Sequence, residues 1–390
     1  MSINFGGYRR PDDTVGVRNH VGVIPVSVSV SSVASKIADD AGSFAKATPH
    51  QISGNQPKAA RQQTERVLTG IGKNPNFGAV LIVSLGTEAV DVQKIGGGIA
   101  QTGKAVEIIS LIDEGGTKPT LVRGSKLVGE LNEEIAGLTR QQVDIQELIV
   151  GVECGGSDAT SGIAANPAVG NACDRLIESG GTACFSETPE FIGAEHILAK
   201  RSVSQSVANR ILEKVDQRER MGGLMGVDLR GAQPTPGNQE GGLTTIEEKS
   251  LGAISKGGTK PIEDIVDYGE QLSKGGGLIL MDTPGYDVES VVAKVAGGAQ
   301  IIVFTTGRGS TTGNPVAPVI KVTGNPQTYE KMANNMDIDA SGILKGESLS
   351  SVGEQIFNKI VQISNGMPTE AERRGLEEFA INEIQQNELR

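Results

Sequence analysis

Five largely apolar runs constrain this chain more than any other feature: VLIVS (80–84), LIVGV (148–152), TACFS (182–186), LILM (278–281) and IIVF (301–304). They are apolar at successive rather than alternate positions, and stretches with helical spacing lie between them. Strands covered by helices on both faces read this way, so the pattern predicts mostly parallel sheets. The expected fold is α/β, with two Rossmann-like domains. The 390-residue length fits two domains, and the spacing divides them at 1–139 and 140–390.

In the first unit, HVGVIPVSVSV (His20 to Val30) and FGAVLIVSLGTE (Phe77 to Glu88) read as strands. A helix with Val122, Leu127, Leu131 and Ile135 on one face follows AVEIISLID. In the second unit, NPAVGNACDRLIESG reads as a helix, with Pro167 near its start and Gly180 at its end. SVSQSVANRILEKVDQRER is a second helix. The stretch from Met221 to Gly258 is rich in Gly, Pro, Gln and Thr and reads as a long loop. A helix is expected near Ser350 to Asn365, and the charged tail after Pro368 reads as helical and outside the site. Aromatics make up only 3% of the chain and Trp is absent, so the core must be built from Val, Ile, Leu and Ala.

The net charge of −11 argues against a nucleic-acid or anionic-membrane partner. No apolar run is long enough to span a bilayer, and the N-terminus lacks a signal-peptide core. The three cysteines, Cys154, Cys173 and Cys184, are an odd count and suit a reducing cytoplasm rather than a disulfide framework.

Ligands of such sheets bind beyond the carboxyl ends of the strands. LIVGV is followed there by ECGGSD, TACFS by ETPEFIGAEH, LILM by DTPGYD, and IIVF by TTGRGS. Converging carboxylates repel unless a cation sits among them, and a mixed Cys and carboxylate set suits a divalent transition metal. Glu153, Cys154 and Glu187 are the candidate metal ligands. Asp158, Arg308, Arg18 and Asn19 are candidate substrate contacts, because an arginine fork matches a carboxylate or sulfonate. Candidate bases are His20, His50, Lys249 and Lys256. Glu190 and Glu195 read as solvated and His196 as a helix cap, while Cys173 and Cys184 read as core. GGIAQTGKA resembles a phosphate loop, but Ala105 stands where Ser or Thr would bind magnesium, so it reads as a helix end.

The segments GVECGGSDATSGIAANPAVG, GGTACFSETPEFIGAEH, PGNQEGGLTTIEEKSLGAISKGG, LILMDTPGYD and IIVFTTGRGS resemble the altronate/galactarate dehydratase family, and GYRRPDDTVGVRNHVGVIP resembles the start of its catalytic portion. The resemblance spans nearly the whole chain. It implies a lyase that eliminates a β-substituent from a small anionic 2-hydroxy acid, using iron(II) or a related divalent metal. It also implies a split, oligomeric enzyme in which a separate small subunit accompanies this chain. One split branch acts on (2R)-3-sulfolactate. Sugar-acid members often carry cysteines near PVSVSVSS, HQISGNQ and SLGTE, where this chain has none, and that favours sulfolactate over altronate or galactarate. The rival class is a non-catalytic metal- or anion-binding subunit of a larger assembly.

Overall fold

The computed structural model describes residues 3–383 except 225 and 232. The chain opens with β1 (Asn4–Arg9) and β2 (Val15–Gly16). Next, β3 (His20–Pro25), β4 (Ala45–Ala47), β5 (Phe77–Ser84) and β6 (Val106–Ser110) form a parallel sheet in the order β4-β3-β5-β6. β7 (Gln141–Asp144) then pairs antiparallel with β1, tying 141–144 back to the first residues across the expected boundary at 139/140. The second parallel sheet contains β8 (Ile149–Gly155), β9 (Thr182–Phe185), β10 (Ile262–Val266), β11 (Gly277–Met281), β12 (Ile301–Thr306), β13 (Val319–Thr323) and β14 (Ile338–Asp339). Its order is β10-β11-β9-β8-β12-β13-β14. Successive connections leave β8 toward β9 and return to β12 on its other side, so the strand order reverses beside β8. The mostly parallel α/β architecture expected from the apolar runs is what forms.

Every residue of β5, β8, β11 and β12 is buried. Four sequence readings change. The helix Val28–Ala41 begins inside VSVSV, because Val30, Val33, Ala34 and Ile37 bury one face at steps of three and four. Val122 is 70% exposed, since the helix Thr117–Ala136 turns Leu127, Leu131 and Ile135 inward instead. The Gly- and Pro-rich stretch after Met221 is not all loop: Pro236–Glu240 and Ile246–Ile254 are helical, capped by Thr235 and Thr245 side chains. Among its described residues, the tail beyond Pro368 forms only the short helix Glu370–Arg373, and then runs to residue 383 without regular structure. Phe379 and Ile381 of that tail are buried, and Gln51 and Gln63 of the first unit donate to the carbonyls of Ile381 and Asn382. Lys104 caps a helix end, donating to the carbonyls of Gly72, Lys73 and Asn74.

The two parallel sheets share one apolar layer. Ile24, Leu68 and Phe77 of the first unit belong to the same buried cluster as Ile279, Val292 and Phe304 of the second. Within it the helix Lys58–Lys73 lies close against the helix Asp287–Ala296, where a Cβ on Gly70 would lie 2.3 Å from the Ala296 carbonyl oxygen. By contrast, Gly129 in Thr117–Ala136 has nothing within 4 Å of an added Cβ. Gly70→Ala is therefore expected to lower stability by about 1–3 kcal/mol through overpacking. Gly129→Ala should raise it by about 0.5–1 kcal/mol through helix propensity. Urea unfolding of both variants checks the pair.

Candidate active site

The site grows from the carboxyl end of β8. Successive side chains of a strand point to opposite faces. Val150, Val152 and Cys154 face the layer containing Leu176 and Ile254, while Ile149, Gly151, Glu153 and Gly155 face the helix Asp287–Ala296. On that second face Glu153 is wholly buried and ion-paired with the wholly buried Lys294. Its Oε2 also accepts from Ser290 Oγ at 2.7 Å and Ser186 Oγ at 3.4 Å. The glycines on either side are required: a Cβ on Gly151 would meet the Lys294 stem at 3.1 Å, and one on Gly155 would lie 2.1 Å from Asp287 Oδ2.

On the opposite face the Cys154 thiol donates to Glu190 Oε2 at 3.0 Å and accepts from Lys256 Nζ at 3.0 Å. Lys256, also wholly buried, forms an ion pair with Glu187 and lies 3.6 Å from Glu190 Oε2. Lys249 sits 3.3 Å from Glu190 Oε1 and donates to Gln233 Oε1. Glu187 joins the two faces. Its backbone is left-handed, φ 78° and ψ 61°, a conformation that costs a non-glycine residue about 1–3 kcal/mol and persists where surroundings over-determine it. Here the Glu187 N–H donates to Thr283 Oγ1 at 3.0 Å, and the Cys154 N–H donates to Glu187 Oε2 at 3.1 Å.

The electrostatics are those of a crowded dry site. Burial, then Glu153 and Glu190, pushes the Glu187 carboxyl well above the usual range. Burial, then the same two neighbours, pushes Asp287 up to about 7. Burial also drives the Cys154 thiol well up, helped by Glu187 and Glu190. Burial pushes Glu190 upward too, but Lys249 and Lys256 outweigh it and the net shift is downward. Glu153 Oε1 and Glu187 Oε1 are buried with no hydrogen-bond partner in the protein, and an unmet buried charged oxygen costs more than about 1–3 kcal/mol. The carboxylate set therefore fits a bound cation.

Glu153, Cys154, Glu187, Lys249 and Lys256 are thus brought together as the sequence suggested, with three differences. Glu153 and Cys154 lie on opposite faces of β8, so their side chains fall into separate groups, Glu153–Glu187–Asp287 and Cys154–Glu187–Glu190. Glu190 is not solvated: its side chain is 10% exposed and bridges Lys249, Lys256 and Cys154. Asp287 and Lys294 escaped the sequence reading, although a lone lysine amid the apolar face of VESVVAKVAGG was a usable signal. Glu195 pairs with Arg230, His196 is exposed, and Cys173 and Cys184 lie in the core.

Asp158 is committed to its own loop, accepting from Thr160 Oγ1, the Ser161 N–H and Asn325 Nδ2. It separates two cavities. One, of about 240 Å³, is lined by Lys249, Ile163 and Leu251. The other, of about 500 Å³, is lined by Arg308, Asn325 and Lys331. Arg308 is half exposed and 3.5 Å from Glu240. The remaining candidates stand apart from this cluster. Arg18 grips Glu372 at 2.7 and 2.8 Å and donates to the carbonyls of Val17, Ile363 and Met367. Asn19 links Arg10 to the Ile135 carbonyl. His20 lies at the amino end of β3, the wrong end for a sheet ligand. His50 has both ring nitrogens engaged, Nε2 with the Pro25 carbonyl and Nδ1 with the Ile52 N–H.

Two family models cover most of the chain: D-galactarate dehydratase/altronate hydrolase, second domain, matches residues 7–136, and D-galactarate/altronate dehydratase, C-terminal, matches 145–387. The chain belongs to the D-galactarate/altronate dehydratase family. It is 38% identical to the (2R)-sulfolactate sulfo-lyase subunit beta of Chromohalobacter salexigens, over 97% of each chain. It is 32% identical to an altronate dehydratase of Bacillus subtilis, over 97% of this chain and 77% of that one. It is 36% identical to the galactarate dehydratase (L-threo-forming) of Escherichia coli, over 77% of this chain and 59% of that one. Among the described residues, no helix of this family member is long and apolar enough to cross a membrane.

Two predictions follow from the charges. Removing one partner of the buried Glu153–Lys294 pair, as in Lys294→Met or Glu153→Gln, is expected to cost about 3–5 kcal/mol, and the double variant should recover much of that loss. A double-mutant cycle in urea measures it. Burial first, aided by Lys46 and Arg18 for His20, pushes both His20 and His50 down from 6.5 to about 4. The unfolded chain therefore takes up protons first as pH falls. Stability is complete above about pH 6.5 and is lost towards pH 4, by roughly 3 kcal/mol per imidazole. Unfolding midpoints between pH 7 and 4 should show a shallower slope in His50→Gln.

Proposed function

We propose that this chain is the large catalytic subunit of a cytoplasmic lyase that removes a β-substituent from a 2-hydroxy acid, converting (2R)-3-sulfolactate to pyruvate and sulfite. The observation that carries this reading is the 38% identity to a sulfolactate sulfo-lyase subunit over 97% of each chain. The buried carboxylate and lysine cluster supports it. The partner is a separate small subunit, since that relative is named a subunit. The altronate dehydratase of Bacillus subtilis, matched over 97% of this chain, favours a sugar-acid dehydratase giving a 2-keto-3-deoxy acid as the second reading.

In the elimination, a base takes the C2 proton, the C3–S bond breaks to release sulfite, and the resulting enol takes a proton at C3 to become pyruvate. A divalent ion, iron(II) in this reading, held among the carboxylates around Glu187, would stabilise the enediolate charge formed on C2 deprotonation. Lys249 is the base we assign, because of the four sequence candidates it alone both contacts the cluster and lines an adjacent cavity. Burial lowers the Lys256 ammonium, but the Glu187 and Glu190 carboxylates outweigh it and hold its proton firmly. It supplies fixed positive charge. Arg308 lines the neighbouring cavity across Asp158, and would receive the sulfonate or the distal carboxylate.

The test is turnover by anaerobically prepared protein loaded with iron(II), with and without a co-expressed small subunit. Sulfolactate should yield equal amounts of sulfite and pyruvate, and Lys249→Met should lower kcat by about 10²–10⁴-fold, with a cooperative melting curve showing that the variant is folded. Keto acid from altronate or galactarate alone would move the protein to the dehydratase reading. Silence on all three substrates, with metal and partner present, would leave the non-catalytic subunit.

A further inference from the structure

Two acidic groups meet at Glu187, and they are not equivalent. In the group on the Cys154 face, a cation is already present. The Lys256 ammonium lies 3.0 Å from Cys154 Sγ and 3.6 Å from Glu190 Oε2, and forms an ion pair with Glu187 Oε2. Every member of that triad has a lysine beside it, Glu190 taking Lys249 through its other oxygen. A metal ion there would have to expel a wholly buried ammonium and break the thiol's hydrogen bond to Glu190.

The group on the other face is different. Glu153, Glu187 and Asp287 each offer a carboxylate oxygen, all within 4.8 Å of one another. Lys294 pairs with Glu153 through Oε2 and Lys256 with Glu187 through Oε2. The two Oε1 atoms are left buried and without partners, and Asp287 has no ion pair among the described residues. Gly155 is the residue whose missing side chain lets Asp287 reach the group. The two lysines match two of the three carboxylates, and the third negative charge, in a dry place beside two bare oxygens, is left without a counter-charge.

We propose that the divalent cation binds to Glu153, Glu187 and Asp287, an all-oxygen site, and that Cys154 is not a ligand. This deepens the metal-assisted reading above and rests on it. Oxygen-only coordination suits hard or borderline divalent ions such as Mn2+, Mg2+ and Fe2+, and does not require the thiolate that would favour zinc or copper(I). Lys256 is the resident cation of the Cys154 triad, so the thiol is a neutral neighbour that holds Lys256 and Glu190 in place.

The experiment measures binding rather than turnover. The full chain, stripped by chelator, is titrated with Mn2+ and followed by electron paramagnetic resonance and by metal content after dialysis. One equivalent should bind. Asp287→Asn should weaken binding at least 10-fold, whereas Cys154→Ser should change it by less than about threefold. If Asp287→Asn fails to fold, Gly155→Ala serves instead, since its Cβ would push Asp287 aside, and it should weaken binding in the same way. Co2+ in the wild-type chain should lack the intense near-ultraviolet thiolate charge-transfer band. That band, or loss of metal in Cys154→Ser with retention in Asp287→Asn, overturns the assignment. A wild-type chain that takes up no divalent ion also overturns it. Because substrate is absent throughout, either result is separate from whether sulfolactate turns over.

Discussion

The Glu153–Lys294 pair sets the terms for everything around it. Moving a carboxylate and an ammonium out of water carries a penalty of several kcal/mol per ion, which only good geometry and further hydrogen bonds repay. The structure meets that demand on one face of β8. Gly151 makes room for the lysine stem, Gly155 makes room for Asp287, and Ser186 and Ser290 donate to the same Oε2 that Lys294 holds, leaving Oε1 bare. The alternation Gly151–Glu153–Gly155 is thus a packing requirement imposed by a buried charge. The opposite face, carrying Val150 and Val152, is free to be ordinary core.

The second constraint is the seam between the two parallel sheets. Asn74 donates to the carbonyls of Val295 and Ala299, and Asn76 to those of Gln300 and Val316. Buried backbone groups at such a junction must find partners, and side chains with several donors do this efficiently. Arg18 belongs to the same class: each of its guanidinium nitrogens meets a carbonyl or Glu372. In sequence an arginine beside a strand resembles a ligand for an anion. In the fold it holds the tail against the first unit.

Strand runs were legible because burial on both faces leaves a one-dimensional trace, and the polar clusters after them were legible because parallel sheets place sites at strand ends. Glu153, Cys154, Glu187, Lys249 and Lys256 were found this way. Which face each side chain occupies was not legible as a shared site, since adjacent residues at a strand end look equivalent until the strand's pleat is fixed. Glu190 was misread because a carboxylate beyond a strand resembles a solvated one. Only the fold brings Lys249 and Lys256, about sixty residues away in sequence, to its two oxygens. The histidines misled for the opposite reason: residue type suggested chemistry, while burial at His20 and two engaged nitrogens at His50 give them structural surroundings.

The charge pattern bears on the chemistry. Removing a proton next to a carboxylate builds up negative charge on an already anionic substrate, and an enzyme lowers that barrier by presenting positive charge that needs no reorganisation. Glu153, Glu187, Glu190 and Asp287 face Lys249, Lys256 and Lys294, so the protein groups alone are left one charge negative when all are ionised. A dianion such as sulfolactate would be repelled. One divalent ion would offset this and leave the cluster one charge positive once Lys249 has taken the C2 proton, provided the Cys154 thiol keeps its own. Were the thiol ionised as a ligand, the same ion would only neutralise the cluster. Retaining a neutral cysteine beside Lys256 therefore preserves the positive field that an anionic transition state requires.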